Sequence, residues 1–309
     1  MNKLLALATV FFLMALTPRP VQDSPAAVVV KLDGSVQIQS GDASPRAATV
    51  GARLSSGDRV IPGENGQAVL VFSSGATRTV TEATTIETPQ GGQEGDMFSR
   101  TVQVLSQAAN SDARNQPNRQ GMIRPIQGAP EIVSPRNGIP VQSTRPTFVW
   151  VSALDREPGE YMIQIRKEGE PPVRYDVGNT TSWTLPPDAP ALTPGATYWW
   201  TVGRKQRGRP SREMTFQVLS VEKHDALNEQ MATLINAGLD PEGDGAFMAA
   251  VIYREAGLYY DAAHSLEFLE EIGQPLSVNA FLLKGEIMDA LGDLEAAREA
   301  FDQADRMGQ

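Results

Sequence analysis

The chain has 309 residues, 41% of them hydrophobic and 21% charged, which is enough for two or three domains that each bury a core and excludes wholesale disorder. A formal net charge of -10 excludes general affinity for nucleic acid, whose phosphates would repel it. The absence of cysteine excludes disulfides, thiolate metal sites, a cysteine nucleophile and a lipid-modified cysteine.

At the N-terminus, Lys3 precedes an apolar run from Leu4 to Leu16 that Thr17, Pro18, Arg19 and Pro20 stop. The run is short for a membrane span and suits the core of a secretory signal, so residues 1–20 predict export to the periplasm or beyond. No Ala-x-Ala site follows at the usual distance, which leaves cleavage and retention as a membrane anchor both open.

Strand patterns follow. Ala27–Lys31 is apolar and β-branched, Gly34–Gln39 alternates Val36 and Ile38 with polar residues, and further short runs end at Thr88. Together they predict a small all-β domain over 27–89. Its centre is Leu54–Phe72, where Gly57, Asp58, Pro62, Gly63, Asn65 and Gly66 supply turns and alternating Ala68, Leu70 and Phe72 supply one buried face. That stretch reads as a β-hairpin. The ordered string Gly34, Val36, Gly51, Leu54, Gly57, Asp58, Gly66, Ala68, Leu70, Phe72 and Gly75 resembles the FecR-type domain of bacterial envelope proteins. The resemblance implies a compact β-module outside the cytoplasmic membrane, sometimes the sensing half of an iron-uptake regulator. Such regulators carry a sigma-factor-binding segment before a membrane helix, and no residues ahead of the signal-like run supply one. A binding role therefore leads, with sensing as the alternative.

Residues 90–131 are rich in Gly, Gln, Asn, Arg and Pro and read as a linker. Within it, Phe98, Val102, Leu105 and Ala109 recur at three- and four-residue spacing, predicting a short helix that packs back on the first domain. Over 132–220 the period is two: Phe148 and Trp150, Tyr161, Ile163 and Ile165, Trp183 and Leu185, Tyr198, Trp200 and Val202, and Met214, Phe216 and Val218 predict a sandwich of about seven strands. The string looks like a fibronectin type III domain, an architecture that hosts many unrelated roles, and the resemblance implies a tyrosine-corner position for Tyr198. Alternation sends Trp150, Trp183 and Trp200 inward and leaves Trp199 on the opposite face, where it suits an interdomain or partner contact better than a sugar platform. The basic run Gly203–Arg212 contains Arg207, Gly208, Arg209 and Pro210, the core of a minor-groove-binding element. In an exported acidic protein it reads as a solvated hairpin tip.

From Val221 the period becomes helical. Leu227, Met231, Leu234 and Ile235 predict a helix ended by Gly238, and two similar units follow in which Gly257 and Gly292 stand 35 residues apart. The units resemble tetratricopeptide repeats, with Gly285, Ala297, Phe301 and Ala304 at the helix crossings of the second and Ala250, Tyr253 and Ala262 in the first. The resemblance implies a groove for a peptide or partner helix, and Tyr253 and Met288 are its candidate contact residues. The region 221–309 is also where the acidity lies, with eighteen acids against five bases.

Catalytic patterns are scarce. His224 and His264 sit in predicted helices without a partnered nucleophile, and the loop carrying Asp240, Glu242 and Asp244 lacks the twelve-position ligand pattern and closing Glu of a calcium loop. The sequence thus predicts a multidomain chain: a small all-β domain, a β-sandwich and all-α helical repeats. No catalytic residue, cofactor or metal is expected. The expected role is a non-enzymatic exported envelope scaffold, with a periplasmic sensing component as the alternative. Its expected partner is an envelope protein or peptide, with an envelope glycan as a second candidate and no nucleic acid. Membrane contact is expected only if the N-terminal segment stays uncleaved.

Overall fold

The computed structural model describes residues 25–87, 95–114, 126–152, 159–205 and 209–308. The predicted signal at 1–20 lies outside them. Among the described residues no helix is long and apolar enough to cross a membrane.

Eight strands come first: β1 (Ala27–Asp33), β2 (Val36–Gln39), β3 (Arg46–Ala47), β4 (Arg53–Leu54), β5 (Arg59–Pro62), β6 (Gln67–Phe72), β7 (Thr77–Val80) and β8 (Thr84–Thr85). They form two sheets, β4-β1-β6-β7 and β3-β2-β5-β8. The predicted hairpin across Leu54–Phe72 is not formed, because β5 pairs with β2 and β8 while β6 pairs with β1 and β7. The cause lies in the intervening turn. Gly63 donates its N–H to the Ser35 carbonyl at 2.7 Å, and a Cβ on Gly66 would stand only 2.2 Å from that oxygen. The turn is thus pinned against the β1–β2 connection and carries the chain from one sheet to the other.

A second departure concerns faces. The alternation Ala68, Leu70, Phe72 implies one buried side, yet Ala68, Val69, Leu70 and Val71 are all buried, as are Ala27, Val28, Val29 and Val30 in β1. Both faces of this sheet are covered, and uninterrupted apolar strands are what that requires.

The outer cover is a helical layer in which α3 meets β1: α1 (Asp96–Ala109) and the C-terminal helices α2 (Val221–Asn236), α3 (Ala246–Glu255), α4 (Tyr259–Glu271), α5 (Val278–Leu291) and α6 (Leu294–Gly308). One continuous buried cluster runs from Ala26 through α1 to Ala304. The sequence reading gives the β-module and the helices separate cores; the structure gives them one. Polar contacts sew the same seam. The Leu32 N–H donates to Gln274 Oε1 (3.1 Å), Gln274 Nε2 donates to the Leu32 carbonyl (2.7 Å), and Lys31 pairs with Asp244 at 2.7 Å. Val50 forms a parallel bridge with Leu276 in the α4–α5 loop. The neighbouring Gly51 has φ +82°, and a Cβ there would lie 2.8 Å from the Phe247 ring and from Ser277 Oγ.

Helices α3 and α4 form one helix pair and α5 and α6 another, each turned by a left-handed glycine, Gly257 and Gly292. Gly285 on α5 lets Phe301 of α6 approach so closely that a Cβ would stand 2.4 Å from the ring. Helix α2 packs on α3 through Leu227 and Leu234, and Ile235 is left exposed.

Between these parts lies the sandwich: β9 (Glu131–Ser134), β10 (Pro140–Val141), β11 (Thr147–Val151), β12 (Tyr161–Lys167), β13 (Val173–Gly178), β14 (Ser182–Thr184), β15 (Thr197–Arg204) and β16 (Met214–Val218). Its sheets are β14-β11-β9 and β10-β16-β15-β12-β13. It keeps its own core, in which Phe148 meets the edge of Trp200 at 4.8 Å and Trp150 that of Tyr161 at 5.5 Å. The implied corner is present, since the Thr193 N–H donates to the Tyr198 hydroxyl at 2.8 Å.

Candidate binding cleft

The sandwich meets the helices through a few directed contacts. Arg136 donates from Nε (3.1 Å) and Nη2 (2.8 Å) to the Leu291 carbonyl at the C-terminal end of α5, where a cation is favoured by the helix dipole. The Tyr260 hydroxyl donates to the Val133 carbonyl at 3.2 Å, and Gln142 Nε2 donates to Asp261 Oδ1 at 2.7 Å. Ile139 and Leu219 join the helical side of the core.

Beside this seam opens a cleft of about 540 Å³, lined by Glu242, Tyr253, Tyr260, Asp261, His264 and Phe268. Tyr253 comes from α3, Tyr260, Asp261, His264 and Phe268 from α4, and Glu242 from the loop before α3. On the sandwich side a hollow of about 490 Å³ shares Tyr260 and Asp261 and is walled by Ser134, Gln142, Ser143, Thr147 and His224. The spacing of Tyr260, His264 and Phe268 at every fourth residue sets them on one side of α4. Burial pushes the Asp261 carboxyl above its ordinary value, against the hydrogen bond from Gln142. Burial likewise raises the Tyr253 and Tyr260 hydroxyls, and at Tyr253 the Asp261 and Glu242 carboxylates push the same way. Two negative groups therefore act on one ring within a single concavity.

No protein-family model matches the chain, and no curated protein matches it. Solved structures similar to part of it are β-sandwiches. One is a redesigned β-sandwich protein, 20% identical, covering 31% of this chain and 99% of its own, with a TM-score of 0.25. Another is the FN5 domain of Drosophila Lar, 19% identical over 30% of this chain and 98% of its own, TM-score 0.22. A third, the FN1–FN3 domains of chicken CNTN1, is 13% identical over 63% of this chain and 57% of its own, TM-score 0.25. The fibronectin type III-like reading of the sandwich stands on its own strand order and on the Tyr198 corner.

The three residues singled out in the sequence do not converge. Tyr253 lines the cleft, which contains neither of the others. Met288 is a correction: at 5% exposure it is a core residue of α5 and offers a partner no surface. The face of α3 and α5 that would receive a partner helix holds α1 of the same chain, through buried Phe98, Thr101, Val104, Leu105 and Ala108. Arg254 of α3, ion-paired with Glu286 of α5, also donates to Gln107 of α1 at 2.8 Å. Trp199 is half-buried, and its ring carries the Arg166 guanidinium 4.7 Å from the centroid, itself paired with Glu213 at 3.2 Å. That cation is its cross-strand neighbour, so the ring face is already covered.

The acidic loop before α3 is structural in part. Asp240 Oδ1 accepts the Glu242 N–H at 3.1 Å, and Asp244 is committed to Lys31. Among the described residues no group of three His, Asp or Glu is placed to hold a metal ion. Of the basic tip, residues 206–208 lie outside the described ones, Arg207 and Gly208 included. Sequence reasoning missed Tyr260, Asp261 and Phe268. The available signal was the four-residue spacing of two aromatics and a histidine on an otherwise acidic helix.

Proposed function

We propose that the chain is a non-enzymatic, exported envelope protein that holds another macromolecule in the cleft of its helices, beside the β-sandwich. The observation that carries the proposal is the cleft's lining and its continuation: a concavity of the helices walled by three aromatic rings and two carboxylates, which shares Tyr260 and Asp261 with the hollow at the sandwich seam, and module seams are where binding sites are commonest. The apolar run Leu4–Leu16 supports export, and the FecR-like order of residues within 28–89 supports an envelope setting. The two helix pairs turned at Gly257 and Gly292 support the tetratricopeptide-like reading. In this reading the repeats spend one face on α1 and the β-module, and present their partner at the sandwich seam instead. A sensing role has the FecR-like string behind it and no further observation.

The test combines fractionation with a photo-crosslinking residue placed at Tyr253 or, as a control, at Asp188 in an exposed sandwich loop. The expected result is residence outside the cytoplasm and discrete adducts from position 253 alone. Cytoplasmic residence, or the same adducts from both positions, contradicts the proposal.

A further inference from the structure

Charge and shape together narrow what the cleft accepts. Asp261 Oδ1 takes the Gln142 hydrogen bond, and no ion pair to Asp261 or Glu242 occurs among the described residues. The cationic groups around the cleft are otherwise engaged or weak. Arg136, which faces Tyr260, is held by the Leu291 carbonyl, the His224 ring is hydrogen-bonded to Asn228 at 3.0 Å, and the exposed His264 forms no ion pair among the described residues. The His264 imidazole attracts the Asp261 carboxylate through space without pairing with it, and a partly buried carboxylate with no ion pair is a costly arrangement that an incoming cation relieves. Tyr253, Tyr260 and Phe268 supply ring faces, which attract cations and above all a planar guanidinium.

The adjoining hollow decides between a small cation and a side chain on a longer molecule. It continues the cleft past Tyr260 and Asp261 along Ser134, Ser143 and Thr147, groups suited to hydrogen-bond a peptide backbone. Strand β9, which ends at Ser134, is an edge strand of its sheet. We propose that the cleft receives a basic side chain, arginine in preference to lysine, from an extended segment of a protein partner whose backbone lies in the sandwich-side hollow. A neutral sugar would use the rings and leave both carboxylates unpaired; an acidic glycan would be repelled.

This inference rests on the cleft being the partner site and gives that site its chemistry. The probes are a serine-flanked peptide with one arginine, the same peptide with norleucine in its place, and an N-acetylglucosamine trimer, titrated calorimetrically into the full-length protein at low ionic strength. Binding of the arginine peptide is expected to be at least tenfold tighter than that of the norleucine peptide. Asp261→Asn, which keeps an acceptor for Gln142, and Glu242→Gln at the exposed rim are each expected to weaken it several-fold, with Glu267→Gln on the outer side of α4 leaving it unchanged. Circular dichroism checks that each variant is folded. Equal affinity for both peptides, preference for the sugar, no binding, or equal loss from Glu267→Gln overturns the inference. Adducts from position 253 that persist alongside such a result would sink the cation chemistry alone; their absence would sink the partner site as well.

Discussion

Two β-modules stand in this chain and solve the problem of covering a sheet in different ways. The sandwich closes its two sheets on each other, so its strands alternate: Tyr161, Ile163 and Ile165 are buried while the residues between them are half-exposed. The β1–β8 module uses the helices as an outer cover, so β1 and β6 bury four residues in a row. A sheet capped by a distant part of the chain becomes thermodynamically dependent on it, whereas a self-closed one does not. Hence β1–β8 and α1–α6 share a core, and the sandwich keeps its own, joined to the helices by directed polar contacts and by Ile139 and Leu219.

One cavity placed in each core separates the two designs. Phe247→Ala, at a fully buried ring against Gly51, is expected to cost about 3–5 kcal/mol and to lower the melting of β-module and helices together. Phe148→Ala is expected to cost as much in the sandwich and leave the other transition in place. Calorimetry that showed three independent transitions, or one, would refute the division.

Next in size is a pair of glycines. Gly51 and Gly178 both have positive φ, so alanine at either strains the backbone by about 1–2 kcal/mol. Only Gly51 faces the Phe247 ring, and Gly178 opens on free space. Gly51→Ala is therefore expected to cost about 2–4 kcal/mol in all and Gly178→Ala about half that, measured by urea unfolding. Equal costs would mean that the Val50–Leu276 seam yields freely.

Much of this was legible in the residues, and the illegible part has a physical reason. Strand positions within 27–88, the sandwich alternation and the helix-turning glycines follow from local periodicity. The helix at 96–109 is also local, although its buried stripe is Phe98, Thr101, Val104, Leu105 and Ala108, with Val102 half-buried and Ala109 exposed. Thr101 can be buried because its hydroxyl donates to the Met97 carbonyl at 2.8 Å. The run Val28–Val30 carried the sign of a doubly covered sheet, but nothing local says that the cover arrives more than two hundred residues later. Gln274 and Leu32 meet across 242 positions, and no pattern in either neighbourhood announces the pair. Tyr260 and Asp261 are likewise ordinary helix residues until the sandwich is set beside them.

Smaller effects sharpen the account of the seam. Burial holds the Asp261 carboxyl above its ordinary 3.8, so the folded chain binds that proton more tightly than the unfolded one. Stability is then reduced as pH rises from the ordinary value through the raised one, and the loss is complete above the raised one. Asp261→Asn is expected to be the more stable protein at pH 7 and to match the parent below the ordinary value, in parallel melts across pH. A variant less stable at pH 7 would show that the carboxylate is satisfied in place. Smallest of all, Trp199→Ala removes a ring that stacks under Arg166 and is expected to cost up to about 1 kcal/mol, in the sandwich transition only.

The union of the β-module and helices into one folding unit is tested most directly by hydrogen exchange on the full-length protein carrying Phe98→Ala in α1. Loss of protection is expected by the same increment in β1, β6, α3 and α5, with β12 and β15 of the sandwich unchanged. Loss confined to α1 and α5, with β1 and β6 as protected as before, would contradict it.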